Sequence, residues 1–316
     1  MIGFIYASLI FLVLRFSVTL FNFLSNPKLG YYGRHYHDVV SVIVFGGRGE
    51  VAEQVRDIRE EVAYEHTEIF IKHPDETLEA VLSACTGRYF LFLSDHVSVK
   101  KGMIDNLIHR SKVYGLGLLS IVPNRRFRTF RDYCLAPLAD FVLINIFPLK
   151  LVSLLSHPAF SVSGQDCMFF DALAFRAYMD QDIGGRVGLP MEVMKQLKQL
   201  GYRSEILLGN KFVYQDVDAG VTIAGKSVLR IFGYNYFAVL FYLIMLIAAP
   251  VIMIFNFEPA FLLLPFGLIF LSRIMVSFLT AQNPFVNVLL HPLQMLMVTV
   301  SILKVWIDRE LGNHKT

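Results

Sequence analysis

The chain has 316 residues, 55% of them hydrophobic, and a mean hydropathy of +0.52, values that exclude an ordinary soluble protein of this length. Its net charge of +3 argues against a nucleic-acid partner. Cys85, Cys134 and Cys167 are widely spaced in apolar surroundings, which suits reduced buried thiols; no zinc-type spacing occurs.

Met1 to Leu24 is apolar apart from Arg15 and a few small polar residues. A hydrocarbon core about 30 Å thick needs roughly 20 such residues, so the segment is long enough to cross. No basic residue precedes its apolar run, and Asn22-Phe23-Leu24 makes a poor cleavage site. A retained anchor over residues 1–30 is therefore expected.

Residues 31–235 carry most of the charge and alternate between strand and helix patterns. Val39 to Phe45 reads as a buried parallel strand and Glu50 to Tyr64 as an amphipathic helix. Thr67 to Ile71, Glu76 to Ala84, Arg88 to Leu93, Lys101 to Tyr114 and Leu116 to Val122 continue the alternation. The pattern predicts an α/β domain with a mostly parallel, Rossmann-like sheet, whose ligands sit beyond the carboxyl ends of the strands. Asp132 to Ser156 is apolar but broken by Pro137, Asp140 and Pro148, and the cluster Arg125, Arg126, Arg128 and Arg131 flanks it. That favours a helix in the membrane interface rather than a span. Met168 to Tyr178, Leu189 to Gly201 and Arg203 to Leu208 return to α/β character, and residues 219–235 suit a second interfacial helix.

Residues 236–316 are a hydrophobic block ending in a short tail, divided at Asn256-Phe257-Glu258-Pro259 and at Gln282-Asn283-Pro284. Helices are expected near 236–255, 260–281 and 285–305, the last being the best candidate for a re-entrant segment because His291 and Pro292 interrupt it. Arg15 and Arg273 fall inside expected spans. Snorkelling to the interface is the simplest reading; pairing with acidic groups or binding lipid phosphate are the alternatives. The basic residues near the membrane place the middle domain on the cytoplasmic side, most simply of a bacterial inner membrane.

Several phrases resemble family 2 glycosyltransferases of the GT-A fold. Gly87-Arg88-Tyr89-Phe90-Leu91-Phe92-Leu93-Ser94-Asp95-His96-Val97 looks like the strand leading into that family's Asp-x-Asp motif. Leu116 to Pro123 is similar to the strand that follows, and Ser161 to Phe170 to the acceptor-side Gly-Gln segment. Leu197 to Arg203 looks like the end of the helix after the catalytic acid. The likeness runs through nearly the whole chain and is nearest to the membrane-bound branch that glycosylates carotenoids and other lipids.

The resemblance implies Mn2+ or Mg2+ with a nucleotide-sugar, held by carboxylates, and a carboxylate base for the acceptor hydroxyl. Ser94 and His96 stand where the two metal aspartates are expected, leaving Asp95 and His96 as the metal candidates. Leu189 and Pro190 stand where the base pair is expected, leaving Glu192 as a replacement. Arg48 and Glu50, in Gly46-Gly47-Arg48-Gly49-Glu50, and Asp75 are the nucleotide candidates, although the nucleotide half is short by a helix and a strand. Gln165, Asp166, Lys226 and Arg230 are the acceptor candidates, the family's Gln-x-x-Arg-Trp being absent. Before the first strand, His35, His37 and Asp38 suit a solvated linker better than a metal site.

Two functions are consistent with this pattern. One is a degenerate member of the fold, a binding or scaffold subunit in lipid or glycan glycosylation. Its partners would be membrane lipid, a lipid-linked sugar acceptor, and an active glycosyltransferase or other membrane subunit. The other is an active enzyme moving sugar from a nucleotide donor to a lipid or lipid-linked acceptor.

Overall fold

The computed structural model describes residues 2–46, 58, 64–73, 75–94, 96–158, 160–164, 166–181, 190–217 and 220–313. They form two compact units. One holds Pro27–Arg126 and Leu149–Asp216; the other holds Met1–Asn26, Phe127–Pro148 and Val217–Thr316. In chain order the elements begin with α1 (Ile2–Ser25), β1 (Val40–Phe45), β2 (Thr67–Lys72), α2 (Leu78–Ala84), β3 (Tyr89–Ser94) and β4 (Val97–Val99). Next come α3 (Met103–Tyr114), β5 (Leu116–Val122), β6 (Asn124–Arg126), α4 (Phe130–Leu135), α5 (Pro137–Ile146) and α6 (Leu149–Leu154). They are followed by β7 (Cys167–Asp171), α7 (Ala172–Met179), α8 (Pro190–Gln199), β8 (Arg203–Leu208), β9 (Val213–Asp216) and α9 (Val221–Ile231). The helix expected over Glu50 to Tyr64 lies almost wholly outside the described residues.

The first unit is built on a six-stranded sheet of order β2-β1-β3-β7-β5-β8, with a smaller sheet β4-β9-β6. Pairs β2-β1, β1-β3 and β5-β8 are parallel, while β7 runs antiparallel to both β3 and β5. The mostly parallel α/β expectation holds, with one reversed strand at the centre. All seven residues of β5 are buried, as continuous apolar strands covered on both faces should be. Gly117 in β5 is required by crowding. A Cβ there would lie 2.9 Å from Tyr202 Cβ and 3.0 Å from Ala174 Cβ.

One buried ion pair ties α3 to β8. Arg110 Nε donates to Glu205 Oε2 at 2.8 Å and Nη2 to Oε1 at 2.7 Å, while Nη1 donates to Tyr32 Oη at 3.1 Å. The guanidinium carbon lies 4.2 Å from the Tyr114 ring centroid. Burial alone would lower the Arg110 pKa, but the Glu205 hydrogen bonds and charge outweigh it and raise the value.

In the second unit, residues 236–256 form α10 (Tyr236–Leu243), a π-helical turn (Ile244–Ala248) and α11 (Ala249–Asn256). Then come α12 (Pro259–Leu279), α13 (Pro284–Leu289) and α14 (His291–Asn313). Three helices among the described residues are long and apolar enough to cross a membrane: Gly3–Ser25, Tyr236–Asn256 and Pro259–Leu279. The last expected span, 285–305, is instead split into α13 and α14, with Pro292 in the first turn of the second piece. That position tolerates proline because its missing N–H has no helical acceptor there.

The segment expected as one interfacial helix, 132–156, is three short helices. The middle one, α5, is buried from Pro137 to Asn145, so it has no broad water-facing side. Its neighbours supply the missing polar partners. Asn22 Nδ2 donates to Ile144 O and Phe147 O at 2.8 Å each, and Thr19 Oγ1 donates to Asn145 Oδ1 at 3.0 Å. The snorkelling expected of Arg15 and Arg273 is overturned, because they are only 8% and 0% exposed. Arg273 Nη2 donates to Asn287 Oδ1 at 3.4 Å and to Gln294 Oε1. Asn287 Nδ2 donates to Gln282 Oε1 at 2.9 Å, and Gln282 Nε2 to Asp140 Oδ2 at 3.1 Å. Helices α9 and α14 meet at Gly225, where a Cβ would come within 2.3 Å of Ser301 O.

Glu205→Ala leaves the Arg110 guanidinium buried without its carboxylate; a loss of about 3–5 kcal/mol is expected in denaturant melts of the detergent-solubilised chain. Gly225→Val forces the α9–α14 crossing apart against main chain, and a lower thermal midpoint is the expected readout.

Candidate functional site

The carboxyl end of β3 is the natural place for a ligand in this sheet, and its local structure starts at the other end of the strand. Gly87 precedes β3, and a Cβ there would lie 2.5 Å from Ser41 Oγ and 2.6 Å from Ser41 N. Only glycine lets the chain enter so close to β1. The Gly87 N–H donates to Ser41 Oγ at 3.0 Å, and that hydroxyl donates to Glu68 Oε2 at 2.8 Å. Thr86 adds its own N–H at 3.1 Å and its hydroxyl to the same carboxylate. Desolvation would raise the Glu68 pKa, but the hydrogen bonds from Thr86 and Ser41 outweigh it and lower the value.

At the carboxyl end, the antiparallel register Leu93–Cys167 brings Asp166 beside Ser94. The Ser94 N–H donates to Asp166 O at 3.0 Å, and the Ser94 hydroxyl lies 3.5 Å from Asp166 Oδ1. Gly164 N–H donates to Ser120 Oγ at 3.0 Å, which fixes the approach of this loop to β5. Thus the Asp-x-Asp-like turn and the Gly-Gln-like segment, 72 residues apart at Ser94 and Asp166, are neighbours. A second carboxylate arrives with β9: Asp216 N–H donates to His96 O at 3.1 Å. Sequence reasoning passed over Asp216, since nothing in its surroundings predicts the β4–β9 pairing.

The remaining candidates are dispersed or not described. Arg48, Glu50, Asp95 and Gln165 lie outside the described residues. His96 is exposed, Asp75 is exposed in the turn after β2, and Glu192 is exposed in the first turn of α8. Lys226 is exposed and Arg230 half-buried; both are on α9 in the helical unit, so they belong to a different compact body from Asp166. Before β1, Asp38 accepts from Lys112 at 2.6 Å and lies 3.5 Å from Arg88, while the His37 and His66 rings touch. That stretch is an ion-paired linker.

A hard divalent cation takes several oxygen ligands, carboxylates first. The described donors near the end of β3 are a hydroxyl, the carboxylates of Asp166 and Asp216 and an exposed imidazole. Among the described residues no three His, Cys, Asp or Glu side chains converge for a metal. The described residues alone supply too few oxygen ligands for a resident divalent cation, Asp95 lying outside them, and no step is derived through one.

Cys85, Cys134 and Cys167 are buried and free, as expected of reduced thiols. Burial pushes all three above the ordinary thiol range, which disfavours the thiolate form. Lys198 was missed as a functional side chain and has a structural task. Its ammonium donates to Val152 O at 2.7 Å, Leu155 O at 2.8 Å and Phe160 O at 2.6 Å. It closes the carboxyl end of α6, whose last carbonyls have no helical donor.

No protein-family model matches the sequence, and no curated protein matches it. Solved structures do. A mannosyltransferase from Pyrobaculum calidifontis, in complex with GDP-Man and Mn2+, is 12% identical, with 96% of this chain and 98% of that one covered at a TM-score of 0.50. S. aureus TarS in complex with UDP-GlcNAc is 9% identical, with 87% and 92% covered at a TM-score of 0.38. The fold is that of a GT-A-like glycosyltransferase. At such identities the likeness describes the fold and says nothing of activity.

Burial pulls Lys198 down to about 8 from the ordinary 10.5. Between those values the unfolded chain holds more protons than the folded one, so stability rises with pH through that window. Melts of the wild type should show this rise, and Lys198→Met should flatten it while lowering stability throughout.

Proposed function

We propose that this chain is a membrane-anchored, glycosyltransferase-fold protein that acts as a binding or scaffold subunit in the glycosylation of a lipid or glycan. It presents its sheet unit at the cytoplasmic face, in a bacterial cell most simply that of the inner membrane. One observation carries the reading. At the end of β3, where the resemblance calls for two metal-holding carboxylates, the chain has Ser94 and His96. Pro190 opens α8 where a proton acceptor is called for, and a proline ring accepts no proton. Chemistry that relies on positioned charge loses several kcal/mol for each missing group. Removing the cation ligands and the base together leaves a surface suited to holding a sugar or lipid-linked partner. Its companions in this reading are membrane lipid, a lipid-linked sugar acceptor and a catalytically intact membrane glycosyltransferase.

The pairing of Asp166 with Ser94 favours a second reading. It restores one carboxylate at the strand end, and with Asp95 it would give an active transferase two oxygen anions for Mn2+ or Mg2+ bound with the donor. Arg48, Glu50 and Asp75 would then face the nucleotide, Gln165 the acceptor, and Glu192 would serve as base.

Calorimetric titration of the full-length protein with UDP and with GDP, each with and without Mn2+, separates the two. The scaffold reading expects no saturable binding tighter than about millimolar. Micromolar, Mn2+-dependent binding abolished by Asp95→Asn and by Asp166→Asn would overturn the scaffold reading in favour of the enzyme. Affinity purification from cells should in turn recover a membrane glycosyltransferase whose own Asp-x-Asp is complete.

A further inference from the structure

The helical unit holds a partly open cavity of about 260 Å³, roomier than the roughly 150 Å³ that suffices for benzene in an apolar protein interior. Its two ends differ. Arg15 reaches Asn145 and shares the Phe141 ring with His291, while Met253 and Pro265 line the cavity about two helical turns from Met245 and Ser272 on their own helices. On α1 the lining runs from Ser8 to Arg15, a depth of about 10 Å at 1.5 Å per helical residue. The walls between are almost wholly hydrocarbon and aromatic.

The polar end has donors without acceptors. Arg15 is only 8% exposed, yet its Nη2 reaches a single weak acceptor, Asn145 Oδ1, at 3.5 Å, and its Nε has none. The guanidinium carbon sits among the rings of Phe11, Phe141 and Tyr242, at 5.6, 5.4 and 5.3 Å. His291, 7% exposed, has a buried Nδ1 without a partner. Arg273 also keeps a partnerless Nε and Nη1, but its Nη2 joins the Asn287–Gln282–Asp140 chain that ends in a carboxylate. Arg15 joins no such chain among the described residues. A buried cation with a spare N–H is costly unless an anion accepts from it.

We propose that this cavity binds a single-chain anionic amphiphile. Its phosphate or carboxylate oxygen accepts from the Arg15 guanidinium near His291, and its hydrocarbon chain runs toward Met253 and Pro265. The three membrane-length helices have apolar outer faces, including Phe255, Phe261 and Leu263. The surrounding solvent that supplies such a molecule is lipid. The inference needs only that the helical unit lies in a bilayer. It stands whether or not the sheet unit transfers sugar.

The test uses the full chain in an uncharged detergent, with thermal stabilisation and direct binding measured for dodecyl phosphate, dodecanoate, dodecanol and inorganic phosphate. Both amphiphilic anions, or one of them, should bind; which one identifies the headgroup. Dodecanol and inorganic phosphate should bind at least about tenfold more weakly, because each lacks half of what the cavity offers. Arg15→Gln should remove the preference for the anion over the alcohol. Should that variant fail to fold, Leu12→Trp, which fills the apolar wall and keeps Arg15, must abolish binding of the anions. Equal binding of dodecanol and the anions by the wild type would overturn the proposal. So would inorganic phosphate matching dodecyl phosphate, or Leu12→Trp binding as the wild type does.

Discussion

Strand β7 runs against both of its neighbours, and the sheet unit depends on that reversal. To one side lie the parallel strands β2, β1 and β3; to the other lie β5 and β8. Without β7 the two halves share no main-chain hydrogen bonds within the sheet. The seam is packed as firmly as it is bonded, with the Tyr89 and Phe169 rings stacked at 5.0 Å and Phe170 edge-on to Phe92 at 5.4 Å. Because pairing register is fixed by which face each side chain must bury, these aromatics also decide which residue stands opposite Ser94. Asp166 is at the strand end for a packing reason, whatever chemistry it later acquired or lost.

The helical unit answers a different constraint. Water is scarce among its helices, so each polar side chain needs a protein partner. Asn22, Thr19, Asn145, Asn287, Gln282 and Gln294, on four helices and one loop, form such partnerships, and they hold α5 inside the unit although its sequence is broken by proline. Network geometry, rather than hydrophobicity alone, gives these helices their register. Close approach at Gly225 brings the main chains of α9 and α14 together, where dispersion contacts hold them.

Much of this was legible from residue patterns. Leu116–Val122 and Arg203–Leu208 emerge as strands with the expected ends, because buried parallel strands announce themselves as short apolar runs. The three membrane-length helices, Gly3–Ser25, Tyr236–Asn256 and Pro259–Leu279, were equally plain from length and hydropathy. The final helix misled, since Pro292 reads as an interruption in a span but is at home in the first turn of a new helix. The reversed direction of β7 left no trace, because strand polarity depends on a connection of more than forty residues through α4, α5 and α6 rather than on Cys167–Asp171. The same holds for Asp216, which reaches His96 through pairing in a small second sheet. For Arg15 and Arg273, a charge in an apolar helix is visible in the sequence, but the neighbours that enclose it are not.

The chain order of the seam has a consequence for how the protein is made. A ribosome releases β1 to β6 first, then Phe127–Pro148, which belongs to the helical unit, and only afterwards β7. Until β7 emerges, the inner edges of β3 and β5 offer bare ladder positions of the kind that recruit stray strands. Phe127–Pro148 therefore leaves the ribosome before the sheet can close, and whatever delays its packing into the helical unit prolongs the life of an open, aggregation-prone half-sheet.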